Sequence, residues 1–399
     1  MHPAAFHPAV PAQTWEFPVD DGRVVVRPDL PCLFYINSTA YLIWQAYRES
    51  GSHEYAANIL VERFGISPET AAKDVTSTVD VWARAGLLGP TQSAVSPRWT
   101  GRHGEASAIA YCSIQGTTFL LLTDSPEMIA EVLPRLDGIQ VGACTPDVTI
   151  AVWAAADDLF AIVVGDECVA FVRGVGEARA VLFQELVRRA GSGREWLALL
   201  HAGACGIDGR CVLFPASSYS GKSTLAAALM ASGFTLYGDD FIGVEAGSLQ
   251  IPAMPFAIAV RHGSWDVLRS WIPEIESYTG IARLGERLKF VPATQGHKAG
   301  AGEAVAIVFS EWVAGADISL KTLSTADVIA RLNASGFWIE HDRDSIGAFL
   351  AWLERLPKFA LRYGDLANAV AHVRAIAATG IEPRFTNLEP IREEEFKTQ

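Results

Sequence analysis

The first part of the chain changes from the two-residue apolar period of strands to the longer period of amphipathic helices. The turn Asp20-Asp21-Gly22 separates two short alternating segments, which predicts a β-hairpin. Asn37 and Ser67 are typical helix N-caps, and Gly65 is a typical residue after a helix end. The predicted strands are residues 14–17, 23–26 and 32–36. Three strands followed by three helices predict a small winged-helix-like module at residues 1–90.

Two larger regions follow this module. Residues 91–105 are rich in Pro, Ser, Thr and Gly, which predicts a linker. Residues 106–194 predict an α+β subdomain without a catalytic constellation, so we expect a packing or orienting role. Residues 195–381 alternate strand and helix signals, which is typical of an α/β domain with helices flanking a sheet. The polar residues 382–399 predict a loose tail.

Charge and cysteine usage exclude several function classes. The net charge of −13 argues against a nucleic-acid-binding surface. The six cysteines form no CxxC pair or Cys/His metal spacing, so we expect buried free thiols in a reducing compartment. No apolar run approaches the roughly 20 residues of a membrane span, and the N-terminus lacks a signal-peptide pattern. We therefore expect a soluble, cytoplasmic protein without nucleic-acid or membrane partners, and leave a homo-oligomer open.

The strongest chemical signal is a loop of small residues between an apolar strand and a helix, in the segment CVLFPASSYSGKSTLAAALM. This order is the context that a phosphate-binding loop requires, because loop N–H groups and the helix dipole hold phosphates. Lys222 would reach the β- and γ-phosphates, and the Ser223 hydroxyl would bind Mg²⁺. Ala216 stands where such loops usually have their first glycine. The predicted nucleotide-binding residues are Ser217, Ser218, Tyr219, Ser220, Gly221, Lys222, Ser223 and Thr224.

Two aspartates, Asp239 and Asp240, follow the loop closely along the chain. We expect them on a neighbouring strand near the γ-phosphate, where a carboxylate binds Mg²⁺ or accepts a proton from an attacking hydroxyl. The sequence has neither the LSGGQ signature of transporter ATPases nor the NKxD guanine motif, which favours a kinase. His201 and Arg261 are further catalytic candidates, with an ordinary structural role open for both.

The segment from residue 197 to residue 242 resembles the catalytic domain of HPr serine kinase/phosphorylase. The resemblance rests on His201-Ala-Gly, the phosphate-binding loop and Tyr-Gly-Asp-Asp, in that order. It implies a fold akin to phosphoenolpyruvate carboxykinase, with ATP as the nucleotide and GTP left open. It further implies that Asp239 is the general base, oriented by His201, and that Asp240 holds Mg²⁺ with Ser223. Arg261 would correspond to the arginine of that family's later signature segment.

The N-terminal module resembles the PqqD-type peptide chaperones. The resemblance is carried by NSTAYLIW from Asn37, FGISPE from Phe64 and WARAGLL from Trp82. Members of that family bind leader peptides of ribosomally made, modified peptides. The resemblance implies that a leader adds as a strand to residues 32–36 and packs on the third helix. The implied peptide-binding residues are Leu33, Phe34, Tyr35, Val75 and Val79.

Together the two resemblances predict a magnesium-dependent kinase that phosphorylates a Ser or Thr hydroxyl of a precursor peptide. The N-terminal module would raise the effective concentration of that peptide at the catalytic site. Three alternatives stay open: a small-molecule kinase, a non-catalytic nucleotide-gated peptide chaperone, and a winged helix that only packs on the kinase.

Overall fold

Local capping signals define the helices of the N-terminal module as the sequence predicts. The computed structural model describes residues 13–89, 107–156, 158–215, 220–283, 286–293 and 300–379. The side chains of Asn37 and Ser67 accept hydrogen bonds from the first turns of their helices, and Gly65 has a φ of +66°. The module consists of β1 (Trp15–Val19), β2 (Gly22–Val26), β3 (Leu33–Ile36), α1 (Ser38–Ser50), α2 (His53–Phe64) and α3 (Pro68–Arg84). Its antiparallel sheet has the order β1-β2-β3.

The middle region is a six-stranded sheet with two helices packed on it. The predicted tight hairpin around Gly165 is confirmed, and the helix predicted from residue 178 begins earlier, at Gly174. The elements are β4 (Ser107–Ile114), β5 (Thr117–Thr123), α4 (Pro126–Val132), β6 (Gln140–Val141), β7 (Val148–Ala156), β8 (Leu159–Val164), β9 (Glu167–Arg173) and α5 (Gly174–Arg189). The strand order is β6-β4-β5-β7-β8-β9. The predicted linker and tail lie outside the described residues, and the domain boundaries stay a prediction.

The third region is mixed α/β. Its main sheet has the order β13-β11-β12-β19-β22-β20 with β15 on β19, and two small sheets have the orders β14-β10-β21 and β16-β18-β17. Its strands are β10 (Trp196–Leu200), β11 (Ala202–Ile207), β12 (Arg210–Pro215), β13 (Thr235–Gly238), β14 (Ile242–Glu245), β15 (Gln250–Pro252), β16 (Ile258–Arg261), β17 (Gly280–Arg283), β18 (Glu286–Val291), β19 (Ala301–Trp312), β20 (Ser319–Thr322), β21 (Phe337–Trp338) and β22 (Lys358–Tyr363). Its helices are α6 (Lys222–Ala231), α7 (Trp265–Leu268), α8 (Thr325–Ser335), α9 (Arg343–Arg355) and α10 (Leu366–Thr379).

Helices cover both faces of the main sheet, as expected. Buried residues of α6 and α10 form one core with it, and those of α8 and α9 form a second. The second core also takes in Val24 and Leu33, so one face of the N-terminal sheet packs on α8 and α9. In the part of the chain that the structure describes, no helix is long and apolar enough to cross a membrane.

Candidate functional site

The helix whose first turn forms part of the site begins immediately after a glycine. Any other residue at this glycine would strain the backbone. Gly221 has a φ of +88°, in the left-handed region, and leads into α6 at Lys222. A Cβ at this position would lie 3.0 Å from the Tyr363 hydroxyl and 3.1 Å from Trp312 Cβ. Ser217, Ser218 and Tyr219 lie outside the described residues, as does Ala216; of the predicted loop, the structure describes residues 220–224.

A compact ion cluster joins the start of α6 to the aspartate pair. Lys222 Nζ lies 3.0 Å from Asp240 Oδ1 and 3.6 Å from Asp239 Oδ1. The Ser223 hydroxyl donates a hydrogen bond of 2.8 Å to Asp239 Oδ2. Lys222 and Asp239 are 7% and 3% exposed, so the low dielectric of the interior strengthens their attraction.

One strand separates the loop from the aspartates, which corrects the expectation that they occupy neighbouring strands. β12, which leads into the loop, pairs with β11 on one edge and with β19 on the other. β13, which precedes the aspartates, therefore pairs with the far edge of β11 and not with β12. Because Gly203 in β11 has no side chain, Lys222 and Asp239 can contact each other across β11. A Cβ at Gly203 would lie 3.3 Å from Asp239 Oδ1 and 3.6 Å from Lys222 Cγ. Gly203 is the glycine of the His201-Ala-Gly motif, to which the sequence alone assigned no role.

His201 lies beside the same oxygen of Asp240 that Lys222 contacts. Its Nε2 lies 3.7 Å from Asp240 Oδ1, and its ring stacks on Phe241 at 5.5 Å. Its Nδ1 lies 2.9 Å from the Ser335 carbonyl oxygen. A carbonyl only accepts, so Nδ1 carries a proton and the ring is fixed with Nε2 towards the carboxylate.

An arginine of the middle region also reaches the cluster. Arg179 of α5 lies 3.5 Å from Asp240 Oδ2 through Nη1 and 3.7 Å from Glu131 Oε2 through Nε. Glu131 of α4 also contacts Arg135 at 3.2 Å. The sequence analysis missed Arg179, because an arginine on an ordinary amphipathic helix gives no signal until the fold brings it to Asp240. The middle region therefore contributes a charged side chain to the site.

The two aspartates differ electrostatically. Burial raises the pKa of the Asp239 carboxyl, which Asp240 reinforces and Lys222 only partly offsets. Burial also acts on Asp240, but Lys222, His201 and Arg179 outweigh it and hold the pKa of Asp240 well below its usual value. Asp240 has a φ of +70°, an uncommon conformation for a residue other than glycine, as often found at functional sites.

The partners of the aspartates are the reverse of those expected. The resemblance pairs Asp239 with His201 and Asp240 with Ser223, whereas the structure pairs Asp239 with Ser223 and Asp240 with His201. Consecutive residues after a strand project in different directions, and the sequence does not tell which one faces α6. Arg261 is placed differently from the prediction as well. Its Nε lies 3.1 Å from Glu286 Oε2, in the separate β16-β18-β17 sheet.

The predicted peptide-binding residues divide into two groups. Leu33, Phe34 and Tyr35 lie in β3, at the edge of the N-terminal sheet. Val75 and Val79, by contrast, are 0% and 2% exposed in the module's own core, so they offer no open surface here and their assignment to peptide contact stays a prediction. The apolar period of α3 marks the face that the module buries, and a peptide would need a face left open.

The edge of β3 carries hydrogen bonds from the third region. Asn333 Oδ1 accepts from the Leu33 N–H at 3.3 Å, and Asn333 Nδ2 donates to the Leu33 carbonyl at 2.8 Å. The Tyr35 hydroxyl donates to Asp21 at 2.7 Å, and burial together with Asp21 raises the pKa of Tyr35 to about 12.

Comparison with known proteins bears on this module. A search of curated proteins finds no match to the chain. Residues 22–88 match a protein family described as coenzyme PQQ synthesis protein D (PqqD). The match begins at β2 and ends just after α3, so it covers most of the predicted module. The N-terminal module of this chain is therefore similar to PqqD, as the order of its motifs predicts.

Proposed function

We propose that this chain is an ATP- and Mg²⁺-dependent kinase that phosphorylates a Ser or Thr hydroxyl of a precursor peptide bound by its PqqD-like module. The observation that carries the proposal is the partly buried cluster of Lys222, Ser223, Asp239 and Asp240 at the start of α6. A lysine, a hydroxyl and two carboxylates at a helix N-terminus are the groups that phosphoryl transfer uses. The order of the motifs, which resembles HPr serine kinase/phosphorylase, supports a catalytic domain of that type.

The residues present fit a magnesium nucleotide. Ser223 Oγ and Asp239 Oδ2 lie together, and both are hard oxygen ligands of the kind that Mg²⁺ takes beside phosphate oxygens. Within the part of the chain that the structure describes, Asp239 Oδ1 is buried and accepts no hydrogen bond, with Lys222 Nζ 3.6 Å away, so this oxygen could take a metal ion as a further partner. Among the described residues, no three acidic, His or Cys side chains form a metal site by themselves, so phosphate would complete the coordination. The metal would neutralise charge that develops on the phosphates.

The geometry favours Asp240 as the group that faces the acceptor hydroxyl. Three neighbours of Asp240, namely Lys222, His201 and Arg179, lower its pKa, and Lys222 has the largest effect of the three. When Lys222 turns to the β- and γ-phosphates, Asp240 loses part of that field and its pKa rises, which makes it a better proton acceptor. Arg179 and His201 would remain to orient it. This division exchanges the roles that the resemblance implies for the two aspartates.

Peptide binding has separate support. The match of residues 22–88 to PqqD supports a role in binding a precursor peptide of the ribosomally made, modified class. β3 lies at the end of its sheet and pairs with β2 on one side, which suits addition of a peptide strand.

Mass spectrometry tests the proposal. A candidate precursor peptide from short reading frames beside the gene is incubated with the chain, ATP and Mg²⁺, and is expected to gain one phosphate. Asp240→Asn should lose the transfer while ATP binding stays, and Asp166→Asn, at an exposed hairpin turn, is the matched control. If ATP binds but no peptide gains phosphate, the acceptor is a small molecule. Peptide chaperoning that survives substitution of both aspartates would instead indicate a nucleotide-gated chaperone.

A further inference from the structure

We propose that the leader peptide docks in a cleft built from both the PqqD-like module and the catalytic region, where the side-chain amide of Asn333 now occupies the place of a leader residue. Release of Asn333 on docking would act on His201 and so couple peptide binding to the catalytic cluster. This inference rests on the proposed function and specifies how its two halves communicate.

The hydrogen bonds at Leu33 are those that an added strand would make. The Leu33 N–H and carbonyl both point away from β2, and Asn333 satisfies both at 3.3 and 2.8 Å. In an antiparallel pair, one residue of the neighbouring strand offers the same acceptor and donor through its own carbonyl and N–H. A leader strand that reaches Leu33 therefore cannot bind until Asn333 leaves.

A cavity beside this contact indicates which leader the cleft accepts. It has a volume of about 330 Å³ and lies between residues 28–33 of the module and residues 337–341 of the catalytic region. His341 Nδ1, 3.4 Å from the Pro28 carbonyl oxygen, joins the two segments at the other end. Its apolar lining includes Pro28, Leu30, Leu33, Phe337, Trp338 and Ile339. A volume near the lower end for ligand pockets suits one large apolar side chain of an extended peptide.

The same helix end that carries Asn333 also holds His201. Asn333 stands two residues before Ser335, whose carbonyl accepts the His201 Nδ1 hydrogen bond, and the Gly336 carbonyl accepts from the His201 N–H at 3.2 Å. His201 Nε2 in turn lies 3.7 Å from Asp240. Movement of the end of α8, when Asn333 is displaced, therefore changes the support of His201 directly.

A binding measurement on the full-length chain tests the proposal. The probe is a fluorescent peptide selected on the chain from a random 12-residue display library. Asn333→Ala should bind it about five- to tenfold more tightly, because two modest hydrogen bonds no longer compete for Leu33. Asn333 is exposed and alanine favours helices, so the variant should fold. The matched control is Asn368→Ala, an exposed asparagine of α10, which should bind as the unaltered chain does.

The outcomes separate this inference from the proposed function. If the selected peptide binds but Asn333→Ala leaves its affinity unchanged or weaker, the inference is wrong while peptide binding stands. If no peptide is enriched on either form, the peptide-binding function itself fails. Selected peptides should share a large apolar residue, and replacing it with alanine should weaken binding at least tenfold. As a second readout, the NMR signals of the His201 ring should shift on adding the peptide; unmoved signals would overturn the coupling.

Discussion

Removing the Lys222 charge should destabilise the third region, because it would leave two carboxylates without their main cation. Breaking a buried ion pair from one side costs about 3 to 5 kcal/mol. We expect about 3 kcal/mol for Lys222→Met, since Asp240 keeps Arg179 and His201 and its side chain is 28% exposed. The cost of leaving one carboxylate unpaired cannot exceed about 4 kcal/mol at pH 7. Above that cost, a carboxyl with an ordinary pKa of 3.8 would take up a proton and become neutral instead.

Hydrogen exchange of α6 and β13 measures this cost locally. A loss of about 3 kcal/mol corresponds to exchange about a hundredfold faster in these elements. Lys321→Met, at an exposed lysine of β20, is the matched control and should leave exchange unchanged. The triple variant with Asp239→Asn and Asp240→Asn added should recover most of the loss, because no buried charge is left unpaired.

The pH dependence gives an independent check. Loss of Lys222 raises the pKa of both carboxyls relative to the unaltered chain, so the folded variant binds protons more readily than the folded unaltered chain does. The deficit of Lys222→Met should therefore be largest at neutral pH and shrink as the pH falls towards 5. Exchange equal to that of the unaltered chain at pH 7, or a deficit that grows on acidification, would refute the reasoning.

Three further predictions concern catalysis. Arg179→Gln should lower the rate of phosphoryl transfer about tenfold or more while ATP affinity is retained. Arg189→Gln on the same helix is the control and should leave the rate unchanged. Equal rates for the two variants in steady-state assays would exclude a role of Arg179 in the reaction. Gly221→Ala should weaken ATP binding in calorimetry far more than Gly209→Ala, because both glycines have positive φ but a Cβ at Gly209 meets open space; matching affinities would contradict this. EDTA should abolish transfer and added Mg²⁺ restore it, with Ser223→Ala needing more Mg²⁺; transfer in excess EDTA would exclude the metal role.

Local features of the fold follow from the sequence, because they depend on neighbours in the chain. The caps at Asn37 and Ser67 and the left-handed Gly65 need only residues within one helical turn. The start of α6 after Gly221 is equally local. The PqqD-like module was predictable for the same reason, since its motifs lie within one continuous segment.

The parts of the site that depend on distant contacts could not be predicted. Arg179 and Asp240 are 61 residues apart in the chain, and they come into contact through the packing of the middle region on the third region. The partners of Asp239 and Asp240 depend on how β13 pairs, since β11 stands between it and β12. The apolar period of α3 could not distinguish a buried face from a peptide-binding one, and the structure places Val75 and Val79 on the buried face.

The face that the N-terminal sheet buries against α8 and α9 limits how this chain can be re-engineered. Val24, Leu33 and neighbouring apolar residues of that sheet belong to the same core as Phe349 and Leu332. A module grafted from a PqqD-type protein that stands alone would place polar residues there and leave the apolar surface of α8 and α9 without cover. Redesign for a new peptide therefore calls for changes along the β3 edge, while the sheet face that packs on α8 and α9 is kept as it is.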